Sequence, residues 1–386
     1  MVPLFKRIAL LIPLFSFFLN CAQKRHSDIP TEVLKKGYTQ YNTNSREKIS
    51  KDYFHNAIQV KDYLPKKFSK LGDVDYTAYL QNAINSGNNI VMPDFPILIN
   101  EKGLQLRSNS KIFFPEKSIL IIKPNDKDGY QALMMDDIDN VEVYFPTIIG
   151  DADKHLGKTG EWGMGILLRN SHNIKIINPQ ISKCWGDGIY IGAQDGKFSS
   201  NILIDNALLD SNRRNAISVI SAKKLVIQNS LLANTIGTSP NFGIDLEPNN
   251  NTNILEDIVI SNNTTYNNKV GVGIVLDMLI GKNIQNMNIA IVNHTDYKSN
   301  TGIEFFVDRG YSKESNSNLK GKILINNLTT NDSDNSVILN KSKSVLNLNI
   351  YVSKISSNKN GKTIKTPQEN IQIFNSAIKK GQKIIL

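Results

Sequence analysis

Asp245 and Glu247 stand two residues apart, Asp277 and Glu304 follow at intervals close to one repeat of the chain, and Asp187 and the pair Arg213-Arg214 come before them. On a strand, residues two apart point to the same face, about 6.6 Å from one another, and adjacent strands lie about 4.8 Å apart. Carboxylates gathered so closely bind a cation, share protons or meet a cationic partner, because like charges at that range repel. Two such groups can also serve as the acid and base of glycosidic hydrolysis, for which inversion needs a separation of roughly 6.5–9.5 Å. The same residues equally suit a solvated acidic stripe, with Arg213-Arg214 in a salt-bridge ladder. A second place for chemistry is the polar run Gly150-Asp151-Ala152-Asp153-Lys154-His155, followed by Gly160-Glu161-Trp162-Gly163. It is too polar and glycine-rich for a core, and long loops carry binding residues disproportionately. There His155 is a candidate general base, or simply a surface histidine, and Trp162 is a platform for the C–H face of a sugar ring.

The elements that must position these residues follow from a long repeat. Gly165-Ile166, Gly188-Ile189, Ala216-Ile217, Gly243-Ile244, Gly273-Ile274 and Gly302-Ile303 recur every 23 to 30 residues. A second series closes alternating apolar runs on Asn178, Asn206, Asn229, Asn262, Asn293 and Asn326. Alternation within each phrase is the signature of a strand, and two strand series sharing one long period describe a solenoid. The isoleucines are expected to stack inward as one column that no single coil could bury alone. Glycine suits the bend before each strand, and asparagine tolerates the left-handed turn while its amide bonds to the next coil. With the isoleucines inward, Leu167, Arg169, Tyr190, Gly192, Ser218, Ile220, Asp245, Glu247, Val275, Asp277, Glu304 and Phe306 point outward, which puts four carboxylates on one sheet face.

The ends of the chain read differently. Residues 1–20, with Lys6 and Arg7 before an apolar run, form an export signal. Phe18-Leu19-Asn20-Cys21 resembles the lipobox of bacterial lipoproteins, although Asn20 stands where a small residue is usual, so Cys21 is the expected lipidation site. Residues 21–45 are polar and aperiodic, as a tether would be. The solenoid domain is expected over 46–366, opened by a cap helix near 75–86 with Asp75 as N-cap and with Tyr76, Tyr79, Leu80, Ala83 and Ile84 plugging the core. Residues 367–386 are expected to form a second cap helix and a terminal strand, with a capping box at Thr366-Pro367-Gln368-Glu369 and an apolar stripe of Ile371, Phe374, Ala377 and Ile378. If Cys21 carries lipid, Cys184 has no disulfide partner, and it reads as a packed small apolar residue. The chain carries a net charge of +10, concentrated in its last portion, where 13 Lys and Arg face four Asp and Glu from Arg309 onward. Such an excess suits an anionic polysaccharide or lipid surface or a solvated face, and no nucleic-acid motif accompanies it.

The run Asp75-Tyr76-Thr77-Ala78-Tyr79-Leu80-Gln81-Asn82-Ala83-Ile84, the Val91-Met92-Pro93 after it, and the coils from Gly163 to Asp308 resemble the pectin-lyase-like superfamily over most of residues 70–350. The resemblance implies an all-β fold, a single-stranded right-handed parallel β-helix with helical caps at both ends, and a polysaccharide as substrate or ligand. The Asn-Thr-Asp, Gly-Asp-Asp, Gly-His-Gly and Arg-Ile-Lys signatures of its hydrolase branch are absent, as is the Asp-Pro-His of its alginate epimerases. In the lyases of this superfamily an arginine or lysine takes the C5 proton of a uronate while calcium neutralises the carboxylate. On that pattern Arg214 is the proton-abstracting candidate, with Asp245, Glu247 and His155 as further catalytic candidates. Asp245, Glu247 and Asp277 are the calcium ligands, and Trp162, Tyr190, Asp187 and Glu304 are substrate contacts. The expected protein is therefore a monomeric polysaccharide lyase, lipid-anchored in the bacterial envelope, probing no nucleic acid. A glycoside hydrolase and a non-catalytic glycan-binding solenoid are the alternatives.

Overall fold

The computed structural model describes residues 29–40, 43–235, 237–307, 316–340, 345–363, 371–374 and 384–385. Within these the chain winds as a right-handed parallel β-helix. One sheet contains ten strands: β1 (Leu104–Gln105), β2 (Gly129–Asp136), β3 (Trp162–Arg169), β4 (Ile189–Gly192), β5 (Ile217–Val219), β6 (Phe242–Leu246), β7 (Val270–Val275), β8 (Thr301–Phe306), β9 (Asn335–Asn340) and β10 (Ile371–Phe374). Each pairs in parallel with the strand one coil on, so the sheet grows along the solenoid axis. The remaining strands form the other wall, and the apolar core lies between.

The expected isoleucine column exists with one correction. Leu133, Ile166, Ile189, Ile217, Ile244, Val272, Ile303 and Val337 stack in register, all at most 2 % exposed. Ile274 instead joins the neighbouring inner column, between Leu246 and Phe305. The reason is steric. A Cβ on Gly243 would lie 2.6 Å from the Gly271 carbonyl oxygen, and one on Gly271 would lie 2.5 Å from that of Gly302. In this coil the close approach to the next backbone falls at Gly271, so the phrase is read two residues earlier than the sequence suggests.

Asparagines at the turns behave as their chemistry requires. Asn178, Asn206, Asn229, Asn262 and Asn293 all have φ between 52° and 55°, in the left-handed region. At the last turn Asn327 rather than Asn326 takes that conformation. Side-chain amides then run coil to coil, Asn327 donating to Asn293 at 2.7 Å, Asn293 to Asn262 at 3.0 Å and Asn262 to Asn229 at 3.3 Å.

Three helices close and brace the solenoid: α1 (Thr31–Gly37), α2 (Thr43–Phe54) and α3 (Thr77–Ser86). The cap α3 starts two residues after Asp75, whose carboxylate accepts from the Thr77 amide at 3.0 Å and from its hydroxyl at 2.6 Å. Tyr76, Leu80, Ala83 and Ile84 are buried in the core as expected, whereas Tyr79 is exposed on the outer side of the helix. The segment expected to be a polar tether carries α1, and it is packed onto the solenoid. Ile29 and Val33 pack with Leu208, Leu231, Ala233 and Tyr266, and Thr39 exchanges backbone hydrogen bonds with the Asn206 amide. Two well-placed apolar residues suffice to dock a polar segment, which is why composition alone reads it as a tether. At the far end Ile371–Phe374, expected within a helix, is strand β10 paired with β9. The signal segment, Cys21, Asp308, the capping box at Thr366–Glu369, and Ala377 and Ile378 lie outside the described residues. Among the described residues no helix is long and apolar enough to cross a membrane.

Candidate functional site

The outer face of the ten-stranded sheet carries the candidate chemistry. Register places Leu167, Tyr190, Ser218, Asp245, Gly273 and Glu304 in one outward column, with Arg169 and Gly192 two residues further along their strands. Asp245 therefore neighbours Gly273, not Asp277. Asp277 is buried in a short 3₁₀ turn, Asp277–Leu279, beyond the end of β7. Among the described residues no group of three or more His, Cys, Asp or Glu is placed to hold a metal. The calcium set of Asp245, Glu247 and Asp277 is thus not assembled, because the register slip that moves Ile274 inward carries Asp277 off the strand with it.

What assembles instead is a charged network around Arg214. Its Nη1 and Nη2 donate to Glu247 Oε1 and Oε2, both at 2.8 Å. Nη1 also reaches Asp187 Oδ2 at 3.1 Å and Ser218 Oγ at 3.2 Å, and Nε lies 3.6 Å from Glu161 Oε2. Asn215 ties the inner side together. Its amide group donates to Ser218 Oγ at 2.9 Å and to Asp245 Oδ2 at 3.3 Å, its backbone N–H donates to Asp187 Oδ1 at 2.9 Å, and its side-chain oxygen accepts from the Phe242 amide at 2.8 Å. Neither Asn215 nor Glu161 is singled out by the sequence. Both act through partners a full coil or more away.

Burial sets the protonation pattern. Asp245 is 1 % exposed, and desolvation together with the Glu247 charge pushes its pKa well above the ordinary carboxylate range, the Arg214 charge opposing this. Its Oδ1 is buried with no hydrogen-bond partner in the structure. Asp187, fully buried, is pushed up to about 6 by desolvation, with Arg214 pulling the other way. Tyr190, pushed up to about 12 by burial and by the charges of Glu247 and Asp187, keeps its proton. Desolvation lowers the pKa of Arg214, but Asp187 and Glu247 outweigh it and the net shift is upward. Arg214 therefore holds its proton firmly and is spent on its own carboxylates.

Two aromatic rings border the pair. Phe242 stacks on Phe306 with centroids 5.7 Å apart, and its ring lies over Gly273, where an added Cβ would meet Phe242 Cδ2 at 2.4 Å and Asp245 Oδ1 at 3.4 Å. A cleft of about 500 Å³ opens here, lined by Arg214, Asp245, Glu247, Lys269, Glu304 and Phe306 among others. A larger groove of about 640 Å³ runs along the other wall, over the ladder of Asn109, Asn140, Asn173 and Asn201, but its acid Glu142 is paired with Lys111 and Lys175.

The loop residues separate into two roles. Trp162, at the start of β3, is 54 % exposed, as a sugar platform needs to be. His155 is not a surface base. Its ring stacks on Trp185 with centroids 3.9 Å apart, Nδ1 lies 2.9 Å from Asp151 Oδ2, and its side chain is 1 % exposed. The Arg213 guanidinium sits 3.7 Å from the Trp185 ring centroid, so His155, Trp185 and Arg213 brace the loop. Cys184 is buried, and desolvation raises its thiol well above the usual range, as an inert packed residue requires.

No family model matches the chain. Two proteins of Bacillus subtilis strain 168 are similar over part of it. The uncharacterized protein YclG is 30% identical over 160 residues, 38% of this chain and 27% of YclG. The SPbeta prophage-derived uncharacterized protein YorA is 30% identical over 164 residues, 38% of this chain and 28% of YorA. The chain thus matches little more than a quarter of the length of these relatives. Among solved structures it is similar to an iota-carrageenase complexed to iota-carrageenan fragments, with a TM-score of 0.58 and 12% identity over 90% of this chain and 98% of that one. A tailspike protein mutant of E. coli bacteriophage HK620, in complex with a pentasaccharide, gives a TM-score of 0.54 and 14% identity over 78% and 58% of the two chains. The N-terminal fragment of bacteriophage phi29 gene product 12 gives 0.54 and 14% over 86% and 67%. At these identities the likeness is one of fold.

Proposed function

We propose that this β-helix binds a polysaccharide across the outer face of its ten-stranded sheet and cleaves it by hydrolysis. One observation carries the reading: a buried Asp245, its carboxyl raised by desolvation, stands two residues from Glu247, which Arg214 pairs through both carboxylate oxygens. A carboxyl raised by burial beside a second carboxyl that is ion-paired is an arrangement suited to acid–base work. Asp245 and Glu247 together hold the proton for the leaving oxygen. Glu304, two strands along in the column of Asp245 and so about 9.6 Å away at the backbone, is the carboxylate placed to activate water. Tyr190 and Asp187 keep the network in place from below.

A lyase needs a base able to accept the C5 proton, and the ion pairs of Arg214 weigh against that role. Those ion pairs also neutralise the cation that would attract a uronate. The solved β-helix structures bound to carrageenan fragments or a pentasaccharide support a glycan ligand on this fold. The burial of Asp245, 1 % exposed, favours one other reading, binding without cleavage. The deciding assay presents neutral and acidic polysaccharides to the purified protein and follows reducing ends, unsaturated uronate absorbance and binding together. New reducing ends without absorbance support hydrolysis, absorbance supports the lyase, and binding alone supports the glycan-binding solenoid. Envelope anchoring through Cys21 is part of the same proposal, tested by whether Cys21→Ser releases the protein from the membrane fraction.

A further inference from the structure

We infer that the cleft receives an internal stretch of a long, uncharged glycan, laid diagonally between Trp162 and Phe306, so that cleavage falls within the chain and not at its ends. This rests on the reading of the cleft as a glycan site. Trp162 begins β3 and is 54 % exposed, and its neighbour Glu161 reaches Arg214 at 3.6 Å, so the platform borders the charged network. Phe306 ends β8, half-buried on the far side, stacked on the ring that covers Gly273. From β3 to β8 is five strand steps, about 24 Å along the axis at about 4.8 Å each. Trp162 lies before the bend that precedes Ile166 and Phe306 lies three positions after Ile303, and those isoleucines share one column, so the two rings are also offset along the strand direction. The span of at least about 24 Å is far longer than one or two sugar rings. Asp245 and Glu247 belong to the β6 coil, three steps from Trp162 and two from Phe306, so a chain touching both rings must pass the carboxylates with sugars on either side.

Charge selects the class of polymer. Arg214 is matched by Glu247, Asp187 and Glu161, and Lys269 and Glu304 line the same cleft with opposite signs. With acids outnumbering cations, this surface gives a uniformly anionic polymer no net attraction, while hydroxyl groups find both donors and acceptors.

The test uses size ladders of β-glucan, galactan and mannan oligosaccharides with their intact polymers, and oligogalacturonates as the anionic comparison. Affinity for one neutral series is expected to rise with length until both rings are spanned, and Trp162→Ala and Phe306→Leu each to weaken binding of the longest oligomers about tenfold, with a smaller loss on trisaccharides. Viscosity of the polymer should fall ahead of reducing-end release. Affinity that stops rising at the disaccharide, products released only from chain ends, or tighter binding of oligogalacturonates overturns this inference and leaves the hydrolase reading standing. Failure to bind or cleave any member of the panel overturns both. Phe306→Leu keeps apolar bulk in the stack, and circular dichroism with the melting temperature separates a lost contact from a lost fold.

Discussion

Arg214 meets Glu247 fork to fork, with Nη1 and Nη2 each 2.8 Å from a separate carboxylate oxygen, while Nη1 still reaches Asp187. The three side chains come from three successive coils, so the network measures coil-to-coil register as much as it serves chemistry. A largely buried ion pair of this kind adds little net stability over an apolar replacement, yet removing one partner strands the other charge. Arg214→Ala should therefore cost about 3–5 kcal/mol in denaturant unfolding. Arg214→Lys, which cannot make the fork, should fall between it and wild type. Equal stability of Arg214→Lys and wild type would show that the fork does not matter.

Asp245→Asn copies the shape of a protonated carboxyl, so stability near neutrality should change by less than about 1 kcal/mol. Cleavage should drop by about 100-fold or more, the usual range for a lost general acid. Glu247→Gln is different because it leaves Arg214 short of a charge, and it should lose stability as well as activity. Full activity in Asp245→Asn would move the acid elsewhere in the cleft.

Asp187 predicts a pH dependence of stability. Its carboxyl is raised in the folded protein from 3.8 to about 6 by burial, so the folded state holds the proton more tightly than the unfolded chain does. The stability it contributes is greatest below about pH 4, falls as pH rises toward about 6, and is level beyond. At about 1.4 kcal/mol per unit the fall is about 3 kcal/mol. Urea midpoints taken across that window should show the slope in wild type and lose much of it in Asp187→Asn.

Two glycines two residues apart should respond differently. A Cβ at Gly271 meets the Gly302 backbone oxygen at 2.5 Å, whereas one at Gly273 meets the Phe242 ring. Gly271→Ala should cost about 1–3 kcal/mol or more, since a backbone cannot step aside. Gly273→Ala should cost less and shift Phe242, altering glycan binding in the cleft more than the melting temperature. Equal thermal losses in the two variants would contradict this register.

His155→Ala should lower stability by about 1–3 kcal/mol through lost stacking on Trp185 and the lost hydrogen bond to Asp151, with turnover per folded molecule close to wild type. Val33→Asp should detach the amino-terminal segment from Leu208, Leu231 and Tyr266 and make residues around α1 sensitive to proteases. Retained resistance would place α1's anchorage in the Thr39 hydrogen bonds with Asn206.

The sequence by itself determined the architecture. Alternation of period two sets which residues face inward, the glycine and asparagine phrases set where coils bend, and both are local properties written every coil. It also put Asp245, Glu247 and Glu304, with Asp277, on one sheet face and Asp187 and Arg214 just before the same strands. Only the tertiary structure decided what those side chains do. An outward position is exposed or covered according to residues arriving from other coils, and the Phe242 ring covers Gly273 while Glu161 and Asn215 complete a network no spacing reveals. The choice between Gly271-Val272 and Gly273-Ile274 was likewise invisible in one strand, because the clash that settles it is with the Gly302 carbonyl of the next. That single step removed Asp277 from the acidic face, and the stack of His155 on Trp185 turned an apparent loop base into a brace. Side-chain proximity between coils depends on register to within one residue, and register is fixed by contacts that form only when the coils are stacked.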